Sequence, residues 1–176
     1  MTLEVRTFSL DLETRDDGDG RTLVGLAVPY DTEAKIGSYT ETFKRGSFAD
    51  ADPAKVPLLA VHDHETLPIG RAMSFMDTDK GLTTELRVSR TKAGDDVLEL
   101  IKDGALSGIS VGFVPIEDRW DSLKTRVQRI KAKLVELSLT AFPAYADAQI
   151  VAVREEEFVR EEPLVRPRLT IARLRI

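Results

Sequence analysis

The sequence predicts an α+β fold that is mostly β, in which a curved or closed, barrel-like sheet carries one main helix. Many apolar stretches have the length of a strand and are separated by Gly, Pro or Asp residues. Several of them alternate between apolar and polar positions, which is the period of a half-buried strand. Residues 91–103 instead show the periodicity of an amphipathic helix. Many short strands with a single helix and short helical turns are typical of a closed or strongly curved sheet.

The chain is predicted to begin with a β-hairpin. Residues 3–12 mix apolar and charged side chains at nearly alternating spacing, and residues 22–30 form a second apolar run. The RDDGDG segment between them has turn chemistry, because Asp and Gly tolerate left-handed backbone conformations. Residues 31–55 are polar and irregular, and we expect a helical turn in their ETFKRGSF segment. Residues 55–62 are a continuous apolar run, typical of a strand that is buried on both faces.

Two strands and the main helix are predicted in the middle of the chain. GRAMSFM and LTTELRV are the strands, and one face of LTTELRV is formed by Leu82, Thr84, Leu86 and Val88. In the helix, four apolar residues fall at i, i+4, i+7 and i+8 and therefore share a face: Ala93, Val97, Leu100 and Ile101. Gly104 follows, as a glycine often does where a helix ends.

The second half of the chain is predicted to contain strands at residues 105–113 (ALSGISVGF) and 133–144 (KLVELSLTAFPA). The polar EDRWDSLKTRVQRIKAK segment predicts an excursion between them, and QIVAVR predicts a final short strand. From residue 154 onward, Arg and Glu are abundant and core-forming periodicity is lost. The sequence therefore predicts a folded domain at residues 1–153 and a charged C-terminal tail at residues 154–176, partly helical or disordered.

Composition argues against several classes of function. The 176 residues suffice for one buried core, and 42% of them are hydrophobic. A net charge of −5 argues against binding of nucleic acid through phosphate contacts. The absence of cysteine excludes disulfides, a thiol nucleophile and cysteine zinc sites. No apolar segment approaches the roughly 20 residues that span a bilayer, and the first residues lack the pattern of a signal peptide. We therefore expect a cytoplasmic protein that binds no membrane.

Three residues are candidates for a catalytic site. Ser110 lies in an apolar run between Gly108 and Gly112, where small neighbours leave room for another backbone or a substrate. A buried hydroxyl needs a partner, and an imidazole is the usual base for a serine because it titrates near neutral pH. His62, at the end of an apolar strand, is the candidate base. Glu136, on the polar face of an alternating strand, is the candidate carboxylate that orients the imidazole.

The residues alone leave other interpretations open. The serine is also compatible with a small residue that fills a tight position in the core. His64 has the spacing that places it on the same strand face as His62, so the two histidines and Glu136 also form a candidate two-His, one-carboxylate metal site. Asp63 and Asp147 compete with Glu136 for the orienting role.

Four stretches of sequence occur in a specific order: VPLLAVHDHETLPIGRA, then GLTTEL, then a helix that leads into DGALSGISVGF, then LVELSLTAFPAYADAQI. In this order they resemble the tailed-phage prohead protease family, which are capsid-maturation serine proteases related in fold to the herpesvirus assemblins. The resemblance covers about residues 22–153. It implies that Ser110 is the catalytic serine, that His62 is the base and that Glu136 is the third member of the triad.

The resemblance implies a serine endopeptidase that acts by acyl transfer, without a metal or another cofactor. Its expected substrates are the scaffold portion of the major capsid protein, the scaffolding protein and the protease itself, cleaved inside the assembling prohead in the host cytoplasm. We expect a homo-oligomer, in which the tail at residues 154–176 serves self-cleavage or capsid targeting. The alternatives are a non-catalytic assembly or scaffolding module on the same fold, and a metal-dependent hydrolase built on His62, His64 and Glu136.

Overall fold

The structure is a computed structural model that describes residues 2–9, 13–15 and 19–141. These residues form ten strands and one α-helix. The strand predicted in QIVAVR and the tail predicted at residues 154–176 lie outside these residues. The elements are β1 (Glu4–Ser9), β2 (Glu13–Arg15), β3 (Thr22–Pro29), β4 (Ala34–Ile36), β5 (Tyr39–Phe43), a 3-10 turn (Pro53–Lys55), β6 (Pro57–Ala60), β7 (Gly70–Asp77), β8 (Gly81–Val88), α1 (Lys92–Lys102), β9 (Gly108–Trp120) and β10 (Arg126–Thr140).

The strands join in one sheet. Its hydrogen-bonded order is β1, β9, β10, β6, β7, β8, β3 and β2, while β5 pairs in parallel with the first residues of β10 and β4 pairs with β5. Strand β3 also contacts β1 and β9, which are distant from it in this order. The sheet therefore curls so that its two ends approach each other. The mostly β, curved fold predicted from the sequence is confirmed.

The predicted helix is confirmed as α1, although its buried face differs. Val97 and Leu98 are buried, whereas Leu100 is exposed, so the face that packs on the sheet is rotated relative to the predicted one. Gly104 has a φ of +75°, a left-handed conformation in which glycine ends a helix without steric cost. Within the described residues, no helix has the length and hydropathy that crossing a membrane would require.

The predicted hairpin between residues 3–12 and 22–30 is wrong. β1 pairs antiparallel with β9, while β3 pairs with the short β2 and with β8. The ring of Phe8 explains the difference, because it is buried and packs edge-on against Phe43, with 6.3 Å between ring centroids. Burial of this ring stabilises β1 beside β9, and local alternation in the sequence carries no information about that partner.

The polar segment predicted as an excursion between strands is a long β-hairpin. β9 continues to Trp120 and β10 begins at Arg126, so the polar residues belong to the ends of two paired strands and to the turn between them. Asp121 closes the turn, because its carboxylate accepts the backbone N–H groups of Thr125 at 2.7 Å and Arg126 at 3.0 Å. Polarity here reflects exposure of the hairpin and not a loss of strand structure.

Residues 31–55, predicted to be irregular, contain β4 and β5. Phe43 of β5 and Phe48 in the following turn pack around Phe113 of β9, with ring centroids 5.2 and 6.1 Å from that of Phe113. The helical turn predicted in ETFKRGSF is instead the end of β5 followed by turns with i to i+3 hydrogen bonds. This aromatic cluster packs β5 and the turn that follows it against β9 in the core.

Candidate active site

Three neighbouring strands bring the candidate residues together. Ser110 lies on β9, Glu136 lies on β10, and His62 follows the end of β6. These strands are adjacent in the sheet, in the order β9, β10, β6. The register of β9 and β10 places Ser110 opposite Ser138, two residues beyond Glu136. Residues that are far apart in the sequence therefore face one another because of strand order.

The hydroxyl of Ser110 is completely buried and has three polar neighbours. Nε2 of His62 lies 2.5 Å from Oγ of Ser110. From β1, the hydroxyl of Thr7 donates to this Oγ at 2.9 Å, and the carbonyl oxygen of Arg6 lies 2.9 Å from it. A hydroxyl has a single proton to donate, so the imidazole and the Arg6 carbonyl compete for it. Strand β1 covers the serine in this structure.

A left-handed turn directs the side chain of His62 back toward the sheet. Val61 and His62 have φ values of 47° and 59°, a conformation that costs about 1–3 kcal/mol for residues other than glycine. The N–H of Val61 donates to the Leu139 carbonyl at 3.0 Å, and the N–H of His62 donates to the Ser138 hydroxyl at 3.1 Å. The strand predicted at residues 55–62 therefore ends earlier, because the backbone turns there to place the imidazole.

The carboxylate of Glu136 is buried, with 1% of the residue exposed, and both of its oxygens are hydrogen-bonded. Oε1 lies 2.7 Å from Nδ1 of His62, and Oε2 accepts the hydroxyl of Ser138 at 2.8 Å. Gly112 lies opposite Glu136 in the register of β9 and β10, and a Cβ atom on this glycine would overlap the carboxylate. The room that Gly112 leaves is therefore occupied by the Glu136 side chain.

This arrangement suits general-base activation of a hydroxyl. A carboxylate beside Nδ1 favours the tautomer that carries its proton on that nitrogen, which leaves Nε2 to accept the proton of Ser110. The same carboxylate stabilises the positive charge that the imidazole of His62 carries after it takes the proton. The three side chains singled out from the sequence thus lie in one hydrogen-bonded series, in the order that nucleophilic catalysis by a serine requires.

The other candidate residues lie outside this series. His64 is exposed in the loop that follows His62. Across residues 2–9, 13–15 and 19–141, no group of three or more His, Asp or Glu side chains is arranged to hold a metal ion, so His64 does not join His62 and Glu136 in a metal site. Asp63 accepts a backbone N–H of its own loop at 2.8 Å. Asp147 lies outside the described residues.

A buried ionic cluster anchors β1 beside the site. Arg6 of β1 lies 2.7 Å from Glu41 of β5, while Arg129 of β10 lies 2.6 Å from Glu4 of β1 and 2.7 Å from Asp118 of β9. Burial disfavours the charged form of Arg6, but its hydrogen bonds to Glu41 and the charge of that carboxylate outweigh burial and raise its pKa. The cluster ties the strand that covers Ser110 to three other strands.

The sequence does not predict two polar contributors to the site, Ser138 and Thr7. A signal for Ser138 was present, since it lies on the same strand face as Glu136 and directly follows it on that face. No local signal identifies Thr7, because it comes from a strand whose partner lies 103 residues away in the sequence.

Comparison with known proteins places the chain in a family. The family model of the caudovirus prohead serine protease matches residues 8–161, which is most of the sequence. The chain belongs to this family. The resemblance inferred from the sequence blocks is therefore confirmed.

Two relatives define the extent of the similarity. The prohead protease of Escherichia phage T5 is 28% identical over 129 residues, which is 65% of this chain and 60% of the relative. The chain therefore spans less than two thirds of that protein's length. The bacteriophage T4 capsid assembly protease gp21 superposes with a TM-score of 0.61, and the match covers 81% of this chain and 98% of that chain. At 10% identity, the likeness to the T4 protein shows the fold alone.

Proposed function

We propose that the protein is a serine endopeptidase of prohead maturation that acts through Ser110, His62 and Glu136. The observation that carries the proposal is the continuous series of contacts from Oγ of Ser110 to Nε2 of His62 at 2.5 Å and from Nδ1 to Glu136 at 2.7 Å. Membership of the prohead serine protease family supports the same reaction. The proposed substrates are the scaffold portion of the major capsid protein, the scaffolding protein and the protease itself, inside the assembling shell.

The reaction follows from the contacts. His62 takes the proton of Ser110 as Oγ attacks a peptide carbonyl, and Glu136 stabilises the imidazolium. The imidazolium then gives its proton to the leaving amine, the peptide C–N bond breaks, and an ester joins Oγ to the acyl group. Water hydrolyses the ester with His62 again acting as the base, which restores the serine. Each proton passes through Nε2, so no cofactor is needed in these steps.

Access to Ser110 requires a change in β1. The serine is completely buried, and β1 pairs with β9 across the whole segment that contains it. A peptide carbonyl therefore reaches Oγ only when β1 has moved away from that part of β9. We propose that substrate cleavage depends on this movement, and that a protein with β1 in place reacts slowly.

The test is cleavage of the major capsid protein of the same phage, co-expressed with the full chain and read by mass spectrometry. Ser110→Ala is expected to lower the rate by about 10⁴-fold or more, because the nucleophile is lost. Ser107→Ala is the matched control, since Ser107 is an exposed serine just before the same strand, and it should cleave as wild type does.

Other outcomes identify the alternatives. If Ser110→Ala still cleaved the capsid protein and a chelator stopped the reaction, a metal-dependent hydrolase would replace this proposal. If the wild-type chain cleaved neither capsid protein nor scaffolding protein, a non-catalytic assembly module would be the better description. The serine protease proposal requires that Ser110→Ala cleaves the capsid protein much more slowly than Ser107→Ala does.

A further inference from the structure

We propose that Ser138 is a positioning residue of the active site, which holds both the carboxylate of Glu136 and the backbone of His62 in their reactive geometry. The proposal rests on the function proposed above, and it adds a fourth residue to the three that act on the proton. Ser138 takes no part in the proton transfers or bond changes proposed for Ser110. Its effect on the reaction is exerted through Glu136 and His62.

A single hydroxyl makes both contacts. Oγ of Ser138 donates its proton to Oε2 of Glu136 at 2.8 Å and accepts the backbone N–H of His62 at 3.1 Å. Both roles are available to one hydroxyl, because it has one proton and two lone pairs. The residue is completely buried, so water does not provide a ready substitute for either partner.

The contact with Glu136 fixes the orientation of the carboxylate relative to the imidazole of His62. A carboxylate can rotate about its terminal bond, and this torsion is only weakly restricted by the side chain itself. Because Oε2 is held by Ser138, Oε1 stays 2.7 Å from Nδ1 of His62. Loss of the hydroxyl leaves Oε2 buried without this donor, so we expect the carboxylate to turn and the contact between Oε1 and Nδ1 to lengthen or break.

The contact with His62 completes the parallel pairing of β6 with β10. The pairing ends where Ala60 lies opposite Leu139, and the N–H of Val61 donates to the Leu139 carbonyl. At His62 the backbone is left-handed, and its N–H meets the Ser138 side chain in place of a backbone carbonyl. The hydroxyl thus stabilises the turn that directs the imidazole toward Ser110.

A second buried serine, Ser47, allows the positioning role of Ser138 to be distinguished from the packing of a buried serine. Ser47 is also a buried serine, yet its Oγ has no hydrogen-bond partner. Ser47→Ala therefore removes a buried serine hydroxyl that makes no contact of this kind, and it is the matched control for Ser138→Ala. Ser138→Thr keeps the hydroxyl and is the conservative variant.

The first readout is the proton on Nδ1 of His62, observed by NMR in the full-length protein with ¹⁵N-labelled histidine. The sequence has two histidines, so His64→Gln assigns the signal. A proton held between an imidazole and a buried carboxylate resonates far downfield and exchanges slowly. Ser138→Ala should move this signal upfield or remove it by exchange, whereas Ser47→Ala should leave it unchanged. A signal that is unchanged in Ser138→Ala overturns the proposal.

The second readout is peptide cleavage. Ser138→Ala is expected to lower kcat by up to about 100-fold with KM unchanged, because the base is misplaced while the binding surface is kept. Ser138→Thr should restore most of kcat if its methyl group is accommodated. If Ser138→Thr fails to fold, the comparison of Ser138→Ala with Ser47→Ala decides. If wild type cleaves nothing but the NMR signal responds as expected, the proposed function fails while the positioning role of Ser138 stands.

Discussion

At the scale of single residues, the site depends on how closely a carboxylate can approach a neighbouring strand. Glu136 lies opposite Gly112, and its side chain occupies the space that a β-carbon on Gly112 would fill. Glycine in a strand interior normally weakens the strand, and it is found where another group approaches closely. Here that group is the carboxylate that orients His62. Gly112 therefore weakens β9 but leaves the space that the carboxylate of the proposed triad requires.

Gly112→Ala is therefore expected to displace the Glu136 carboxylate from Nδ1 of His62. A displacement of this kind lowers kcat by about 100-fold, and overpacking costs about 1–3 kcal/mol of stability. The measurements are capsid-protein cleavage and urea unfolding. Gly46→Ala is the control, because Gly46 is left-handed with nothing within 4 Å of its missing β-carbon. It should lose stability but keep kcat; equal kcat values in the two variants would contradict the prediction.

The sequence could identify the residues of the site but not all of their contacts. Ser110, His62 and Glu136 were selected by residue type, strand position and family blocks, and the fold brings them within hydrogen-bond distance. Thr7 meets its partner 103 residues away, and Ser138, although local to Glu136, also contacts His62, which is 76 residues away. Local periodicity gives the face on which a side chain lies, but the partner strand depends on the whole sheet.

At the scale of elements, the β9–β10 hairpin shows that a polar segment of sequence is not necessarily a loop. Its outer half is polar, and the sequence therefore predicts an excursion, but turn chemistry closes it as a continuous ribbon. Asp121 accepts the N–H and the hydroxyl of Thr125, each at 2.7 Å. These contacts close the hairpin at its outer end, while register shifts between Arg129 and Glu136 set the position at which β10 presents Glu136 and Ser138 to His62.

The turn makes a testable contribution to stability that depends on pH. The Thr125 hydroxyl, together with backbone N–H groups, lowers the pKa of Asp121 below its ordinary value. A lowered folded pKa contributes stability that is fully present above the unfolded pKa of about 3.9 and is lost as pH falls through the folded value.

Asp121→Asn should therefore lower Tm at neutral pH, and the difference from wild type should shrink below about pH 4. Thermal unfolding followed by circular dichroism from about pH 3 to pH 7 measures it. Thr125→Val is the companion variant, because it removes the hydroxyl donor and keeps the carboxylate, and it should show part of the same effect. A Tm difference for Asp121→Asn that stays constant over this range would contradict the assignment.

At the scale of the whole molecule, sheet order explains why the site exists where it does. Strands β9 and β10, which carry Ser110 and Glu136, lie next to β6, which leads into His62, although β7, β8 and α1 separate β6 from β9 in the chain. Strand β1 pairs with the free edge of β9, where it covers the serine, and the curl of the sheet also brings it into contact with β3. The fold class could be predicted from strand-length patterns, whereas the pairing of β1 could not, because its partner β9 is remote in the sequence, with 103 residues between Thr7 and Ser110.

The strength with which β1 is held should control access to Ser110. Arg6 of β1 pairs with the fully buried Glu41, which keeps a second contact to Arg129 at 3.3 Å. Arg6→Ala therefore loosens β1 without leaving Glu41 alone. Loss of a hydrogen bond to a charged group costs about 1.5–3 kcal/mol, which corresponds to an about 10- to 100-fold larger population with β1 displaced.

We therefore expect Arg6→Ala to raise the rate at which a fluorophosphonate labels Ser110 by about 10- to 100-fold, as measured by intact mass spectrometry. Leu86→Ala is the control, since it removes a fully buried core side chain of β8 and costs about 2–5 kcal/mol of stability. Global unfolding separates Ser110 from His62, so this control should not accelerate labelling. Faster labelling in both variants would indicate general loosening of the fold, and equal labelling of Arg6→Ala and wild type would show that β1 does not limit access.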